Sequence, residues 1–170
     1  RSGLHFQKGK YYAEIPTLDE FLHWFKDTDL LCNIEIKSYD TSFFSLEKKT
    51  LDMVRSYRVE DRIIFSSFNH YSIVFLHQNA PDIETAPLFM EGIYMPWIYA
   101  ESIRAKAIHP YHKAVPDKMV LASQDYGIQV RPFTVNKKED LERFFRIHTN
   151  AVITDFPERA RKVLEEVRKD

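Results

Sequence analysis

Short apolar runs and amphipathic runs alternate along this chain in strict order, and that alternation constrains its fold more than any other feature. A helix comes first: Thr17 and Glu20 form a capping box at the head of the helical spacing Leu18, Phe21, Leu22 and Phe25. The apolar run at 32–37 follows, CNIEIK, with strand character. A helix from about 46 to 57 leads to a strand at 63–68, and Asn69 caps the helix carrying Ile73, Val74 and His77. A strand at 83–89 precedes a short helix opened by Pro96. The strand at 105–110 comes before a helix opened by Pro116-Asp117 and stopped at Gly127, a good left-handed terminator. The strand at 128–135 hands over to a helix with a cap-like start at Asn136 and Glu139. A strand at 151–155 and a helix with Pro157 in its first turn complete the series. Six strands each followed by a helix imply parallel strands joined by right-handed crossovers.

Two architectures accept that order, an open doubly wound sheet and a closed barrel. In a doubly wound sheet helices cover both faces, so strands are apolar on both sides. Here Asn33, Glu35 and Lys37 share one face of their strand while Ile34 and Ile36 share the other. Gln129 and Arg131, in phase with Phe133, repeat the pattern. Polar layers of this kind suit a barrel interior. The chain has only four glycines and no glycine-rich first turn of the dinucleotide-binding type. The expectation is an α/β fold, a TIM-type barrel. Such a barrel has eight strands and about 250 residues, so this chain reads as incomplete, with about six of eight strand–helix units present and the first two missing. No low-complexity tract or linker divides it, and residues 1–170 read as a single domain.

Lysine plus arginine (24) nearly balance aspartate plus glutamate (25), leaving a formal net charge of −1, which argues against a nucleic-acid groove or a polybasic membrane anchor. No apolar run reaches bilayer-spanning length. The single cysteine, Cys32, excludes an internal disulfide and sits where burial is expected over reactivity. Compartment, cytoplasmic or secreted, stays open.

Five segments in order resemble the glycerophosphodiester phosphodiesterase family. IPTLDEFL before NIEIK resembles the run into its third strand, and RVEDRIIFSSFNHYS its fourth strand and turn. MPWIYAESIRAKAIHPYH resembles the approach to the sixth strand, with His109-Pro110 intact; GIQVRPFTVNKKEDLERFF and AVITDFPERARKVL resemble the seventh and eighth units. The resemblance implies a TIM barrel that hydrolyses glycerophosphodiesters, as its small-molecule substrate, to an alcohol and glycerol 3-phosphate with a divalent cation, calcium or magnesium. It makes Glu35 a metal ligand and Lys37 the lysine facing the substrate phosphate. A carboxylate is a hard oxygen ligand suited to such ions, and an ammonium two residues on neutralises a phosphate oxygen. Phe133 stands where the family commonly has tryptophan, and with His109 it is a substrate-side candidate. Ser67, Phe68, Phe89 and Asp155 lie near strand C-termini and share the mouth in this reading. Arg104 stands where glycine is expected. The family's two catalytic histidines and its further acidic ligands lie upstream of Arg1 in this alignment, and neither His5, His70 nor His109 matches them.

Plainer readings compete with several of these. Glu35 and Lys37 also suit a buried ion pair filling a barrel layer. Ser66 and Ser67 suit polar lining better than a nucleophile, since no histidine or acid is set by spacing. Asp155 suits a cap on the last helix, and Trp97 with Tyr94 and Tyr99 suits a packing cluster. As a whole, the alternative is a catalytically inactive truncated barrel, a binding or assembly module. Its open sheet edges would pair with the missing N-terminal segment or with a second copy. An enolase-like barrel enzyme with an acid–lysine strand end is a third reading, disfavoured by the ordered resemblance.

Overall fold

Parallel pairing in one direction organises the chain. In the computed structural model, which describes residues 14–39 and 43–169, five strands form one sheet in the order β1-β2-β3-β4-β5. They are β1 (Cys32–Glu35), β2 (Ile63–Ser67), β3 (Glu84–Phe89), β4 (Ala107–Pro110) and β5 (Gln129–Val130), and every neighbouring pair is parallel. Spatial order follows chain order without a reversal. A doubly wound sheet reverses at a switch point; this one winds one way, as a barrel wall does. The helices are α1 (Leu18–Phe25), α2 (Ser45–Tyr57), α3 (His70–Asn79), α4 (Pro96–Ser102), α5 (Asp117–Asp125), α6 (Lys138–Arg146) and α7 (Pro157–Val167), with a 3₁₀ turn at Glu60–Arg62.

Local chemistry accounts for several boundaries. Thr17 and Glu20 cap α1 reciprocally: the Glu20 N–H donates to Thr17 Oγ1 at 3.2 Å, and the Thr17 N–H donates to Glu20 Oε2 at 2.8 Å. Asn69 Oδ1 accepts the Tyr71 N–H and caps α3. Pro96 and Pro157 stand in the first turns of α4 and α7, where no N–H is needed. The α5 helix ends at Gly127 with φ +78°.

Helices and sheet enclose two apolar clusters. One, around Leu22, Phe25, Val54, Phe65 and Leu76, joins α1, α2 and α3 to the first strands. The other, around Ile108, Val120, Val130, Leu141 and Phe144, joins α4 to α7 to the last ones.

Three expectations are corrected. Residues 151–155 are not a strand. On the outer side of β5 the N–H donors fall at Val130 and Pro132. Val130 donates to Asn150 Oδ1 at 2.9 Å and proline has no N–H. What remains is two bonds, Ile153 N–H to Pro132 O at 2.9 Å and Val135 N–H to Ile153 O at 2.8 Å. The segment runs beside β5 without a ladder. Second, Asn136 does not cap α6, whose N-cap, Lys137, has no side-chain cap bond. Asn136 instead donates to Asp155 Oδ2 at 2.7 Å and accepts from Thr154 Oγ1 and the Asp155 N–H, both at 3.0 Å. Third, Asp155, bonded in this way, is not the cap of α7; Phe156 is the N-cap, with no side-chain bond.

Candidate functional site

The C-terminal ends of β1 and β2 open onto a cleft of about 480 Å³ lined by Glu35, Lys37, Ser38, Ser67, Phe68 and Tyr71 among others. Strand alternation sends Asn33, Glu35 and Lys37 outward while Ile36 is buried. Glu35 pairs in register with Ser66, and the Ile36 N–H donates to Ser66 O at 2.7 Å, which holds the strand end against β2. Lys37 Nζ lies 3.9 Å from Glu35 Oε1, with the side chains 75% and 35% exposed. In this chain neither side chain is buried, and both line the cleft.

Ser66 and Ser67 are fully buried lining. Asn33 Nδ2 donates to Ser66 Oγ at 3.0 Å, and Ser67 Oγ donates to Ile36 O at 2.6 Å while accepting the Asn69 N–H. Neither hydroxyl has the histidine or carboxylate partner of a nucleophile. His70 is similarly occupied, Nδ1 with Tyr99 Oη at 2.6 Å and Nε2 with Leu88 O at 2.8 Å. Cys32 is half-buried, and desolvation raises its thiol pKa. Trp97 packs as expected of a structural ring, but against Tyr126 at 5.1 Å, while Tyr94 is 78% exposed.

The other sequence candidates are spread over neighbouring places. Phe133 is half-buried and meets Phe68 edge-on, ring centroids 5.7 Å apart. It lines an adjoining cavity of about 330 Å³ with Tyr111, His112, Lys113, Lys137 and Asp140. Asp155 lines a third cleft beside Phe156 and Arg159. His109 is fully buried below the mouth, beside Arg131 in the register of β4 and β5. Arg131 Nη1 lies 3.5 Å from His109 Nε2 and donates to Glu84 Oε1 at 2.5 Å; its other nitrogen donates to Gln129 Oε1. Burial first, then the Arg131 charge, pushes the His109 pKa down to about 3. It is therefore neutral. Glu84 was not singled out from the sequence; it is the acid that pairs with Arg131, whose side chain is 12% exposed, and the signal for it was that arginine's need of a partner.

The matching family model, the glycerophosphoryl diester phosphodiesterase family, covers residues 2–159. The chain belongs to this family. A glycerophosphodiester phosphodiesterase of Caldanaerobacter subterraneus is 34% identical over 157 residues, covering 92% of this chain and 65% of that protein. One from Bacillus altitudinis is also 34% identical over 157 residues, covering 91% of this chain and 64% of its own length. The chain thus spans just under two thirds of these relatives. Among solved structures, a glycerophosphodiester phosphodiesterase from Parabacteroides distasonis superimposes with a TM-score of 0.79 at 20% identity, covering 91% of this chain and 66% of that one. That likeness establishes the TIM-barrel-type α/β fold, although the five strands described form an unclosed sheet.

Members of the glycerophosphoryl diester phosphodiesterase family generally use divalent cations. Among the described residues, no group of three or more histidine, cysteine, aspartate or glutamate side chains is placed to hold one. Glu35 offers one hard carboxylate, with an ammonium 3.9 Å away. Six to eight oxygens surround calcium and about six surround magnesium, so these residues do not by themselves fit a cation site. No described helix is long and apolar enough to cross a membrane.

Proposed function

We propose that this protein hydrolyses glycerophosphodiesters to an alcohol and glycerol 3-phosphate, with the Glu35–Lys37 cleft as this chain's part of the active site. One observation carries the reading: a chain whose sequence matches the family from residue 2 to residue 159 opens a cleft at its strand C-termini, and Glu35 and Lys37 both face it. Barrel enzymes build their sites at that end. Lys37 holds the bridging phosphate and stabilises the negative charge that grows on its oxygens as the ester bond breaks. Phe68 and Tyr71 give the cleft aromatic walls that orient the glycerol and keep water off one side. Glu35 would offer one carboxylate oxygen to a calcium or magnesium ion, which would supply charge neutralisation at the phosphate.

In this reading, proton transfer to the leaving alcohol is assigned, through the family resemblance alone, to two histidines that have no counterpart in this sequence. The 170-residue polypeptide expressed alone is accordingly expected to be inactive, and measurable turnover of glycerophosphocholine by it overturns this division of labour. In the full-length protein, Glu35→Gln keeps the shape and removes the charge. The expected result is a loss of at least about a hundredfold in kcat together with weaker calcium or magnesium binding by titration calorimetry. A variant that retains both removes Glu35 from the site.

A further inference from the structure

The cleft at Glu35 and Lys37 does not end at its aromatic wall. Phe68, Asn69 and Tyr71 line that cleft and also a second groove, of about 480 Å³, which continues between α3 and α4 past Val74, Tyr99 and Ile103. Phe68 and Tyr71 are exposed, and Val74 and Ile103 are half-buried. An apolar strip open to solvent and continuous with a polar cleft is the form of a ligand groove.

This groove has little to offer a polar head. None of its described lining residues bears a carboxylate, an ammonium or a guanidinium, and the ring of His70 is already spent. Leu88 O can only accept, so the Nε2 that meets it at 2.8 Å carries the ring proton, and Nδ1 accepts from the Tyr99 hydroxyl at 2.6 Å. Asn69 Oδ1 takes the Tyr71 N–H at 3.2 Å. A charged head placed here would lose its water without finding an opposite charge. A hydrocarbon chain gains by leaving water.

The course of the groove fixes which part of a diester it serves. In the reading above the phosphate lies with Lys37 and the glycerol lies against Phe68 and Tyr71. Those two rings are the ones shared with the groove. A chain that reaches Val74 and Ile103 therefore leaves from the glycerol and not from the alcohol.

We propose that the groove between α3 and α4 receives a hydrocarbon chain esterified to the glycerol of the diester, so that this protein's substrates include lysoglycerophospholipids. The assignment rests on the hydrolytic reading above and deepens it at the same site. The net bond change is the same hydrolysis. One water gives its hydroxyl to phosphorus and its remaining proton to the alcohol, whose bond to phosphorus breaks. The acylated glycerol keeps the phosphate, and nothing is oxidised or reduced.

Glycerophosphocholine and its butanoyl, hexanoyl and octanoyl monoesters, each below its micelle concentration, test this with the full-length protein. The expected kcat/KM rises about twofold per added methylene, below the about fourfold of full burial because the groove is open on one side. In Val74→Gln/Ile103→Gln the rise is expected to flatten, while turnover of glycerophosphocholine, which has no chain to reach them, is unchanged. A flat or falling series in the parent protein, or a rise that survives in the double variant, overturns the assignment. A second readout uses the parent alone and needs no turnover: the Val74 and Ile103 methyl NMR signals are expected to shift with octanoylglycerol 3-phosphate and not with glycerol 3-phosphate. If they do not move, no chain lies in the groove, whatever the activity. If both compounds move them equally, the chain is not what they report, and the assignment falls. If the methyl signals respond to the chain but no diester is hydrolysed, the groove stands as a chain site, and the hydrolytic reading, with the substrate role built on it, falls.

Discussion

His109 shows how far the interior departs from what its residue type suggests. An ordinary histidine titrates near 6.5; burial and Arg131 bring this one to about 3. Unfolded, it gains a proton below about pH 6.5, whereas folded it does not. Its contribution to stability is therefore whole above that pH and is lost as pH falls toward 3, at up to ~1.4 kcal/mol per unit. Between pH 7 and pH 5 this group alone costs ~2 kcal/mol. Urea denaturation at the two pH values should show His109→Gln losing less stability than the parent by about that amount. The His109 C2 proton resonance should stay flat from about pH 7 to about pH 4.5; a titration centred near 6 rules the account out. The same scale explains the legibility of the site. Glu35 and Lys37 were readable because alternation within one strand sets their common face. His109 was named from a local His-Pro pair, and its burial against Arg131 depends on a neighbouring strand well along the chain.

Of the three helices that close with the same pair of bonds, α4, α5 and α6, one ending was legible. The α5 terminus was readable because Gly127 tolerates positive φ. Yet α4 and α6 end with the same pair of bonds. Arg104 N–H reaches Glu101 O and Ala105 N–H reaches Ala100 O, as His148 N–H reaches Phe145 O and Thr149 N–H reaches Phe144 O. The matching pair in α5 runs from Gly127 to Gln124 and from Ile128 to Ser123. Arg104 at φ +59° and His148 at φ +53° occupy the left-handed position that glycine fills in α5. The expected glycine at 104 is absent, and the turn forms regardless, because the two closing bonds and the packing of buried Ala105 outweigh a left-handed cost of ~1 kcal/mol. Arg104 and His148 are both exposed. Arg104→Gly and His148→Gly should each raise stability by ~1 kcal/mol, and Gly127→Ala should lower it by a similar amount. Chemical denaturation midpoints check all three, and a destabilising Arg104→Gly means the arginine side chain itself matters there.

Across the whole molecule, the described sheet leaves β1 paired on one side only. Leu30 and Leu31 beside it are 53% and 72% exposed. An apolar, unpaired edge is a template for another strand. The 170-residue polypeptide on its own should therefore self-associate as concentration rises, and Leu31→Lys should weaken that association by placing charge on the edge. Sedimentation velocity reads both; a monomer at every concentration means the edge is covered in some other way. The expectation of six strands failed at this scale too. Apolar composition at 151–155 satisfied the pattern for a strand, but a ladder needs donors from its neighbour. Pro132 has no N–H and the Asn150 side chain takes the Val130 N–H, which leaves only the Val135 N–H to reach the segment, at Ile153 O.

Strand–helix order, the parallel winding, the capped starts of α1 and α3 and the shared face of Glu35 and Lys37 were determined by the sequence itself, because each depends on residues within a few positions of one another. The family was readable for a related reason, since five local segments occur in its order. Tertiary structure alone decided which residues share a cleft. Phe133 met Phe68 across the sheet, His109 sank beside Arg131, Glu84 found that arginine, and Lys113 came to line one cavity with Lys137. Those contacts join residues tens of positions apart, and their geometry is set by strand register and helix packing, which no local spacing encodes.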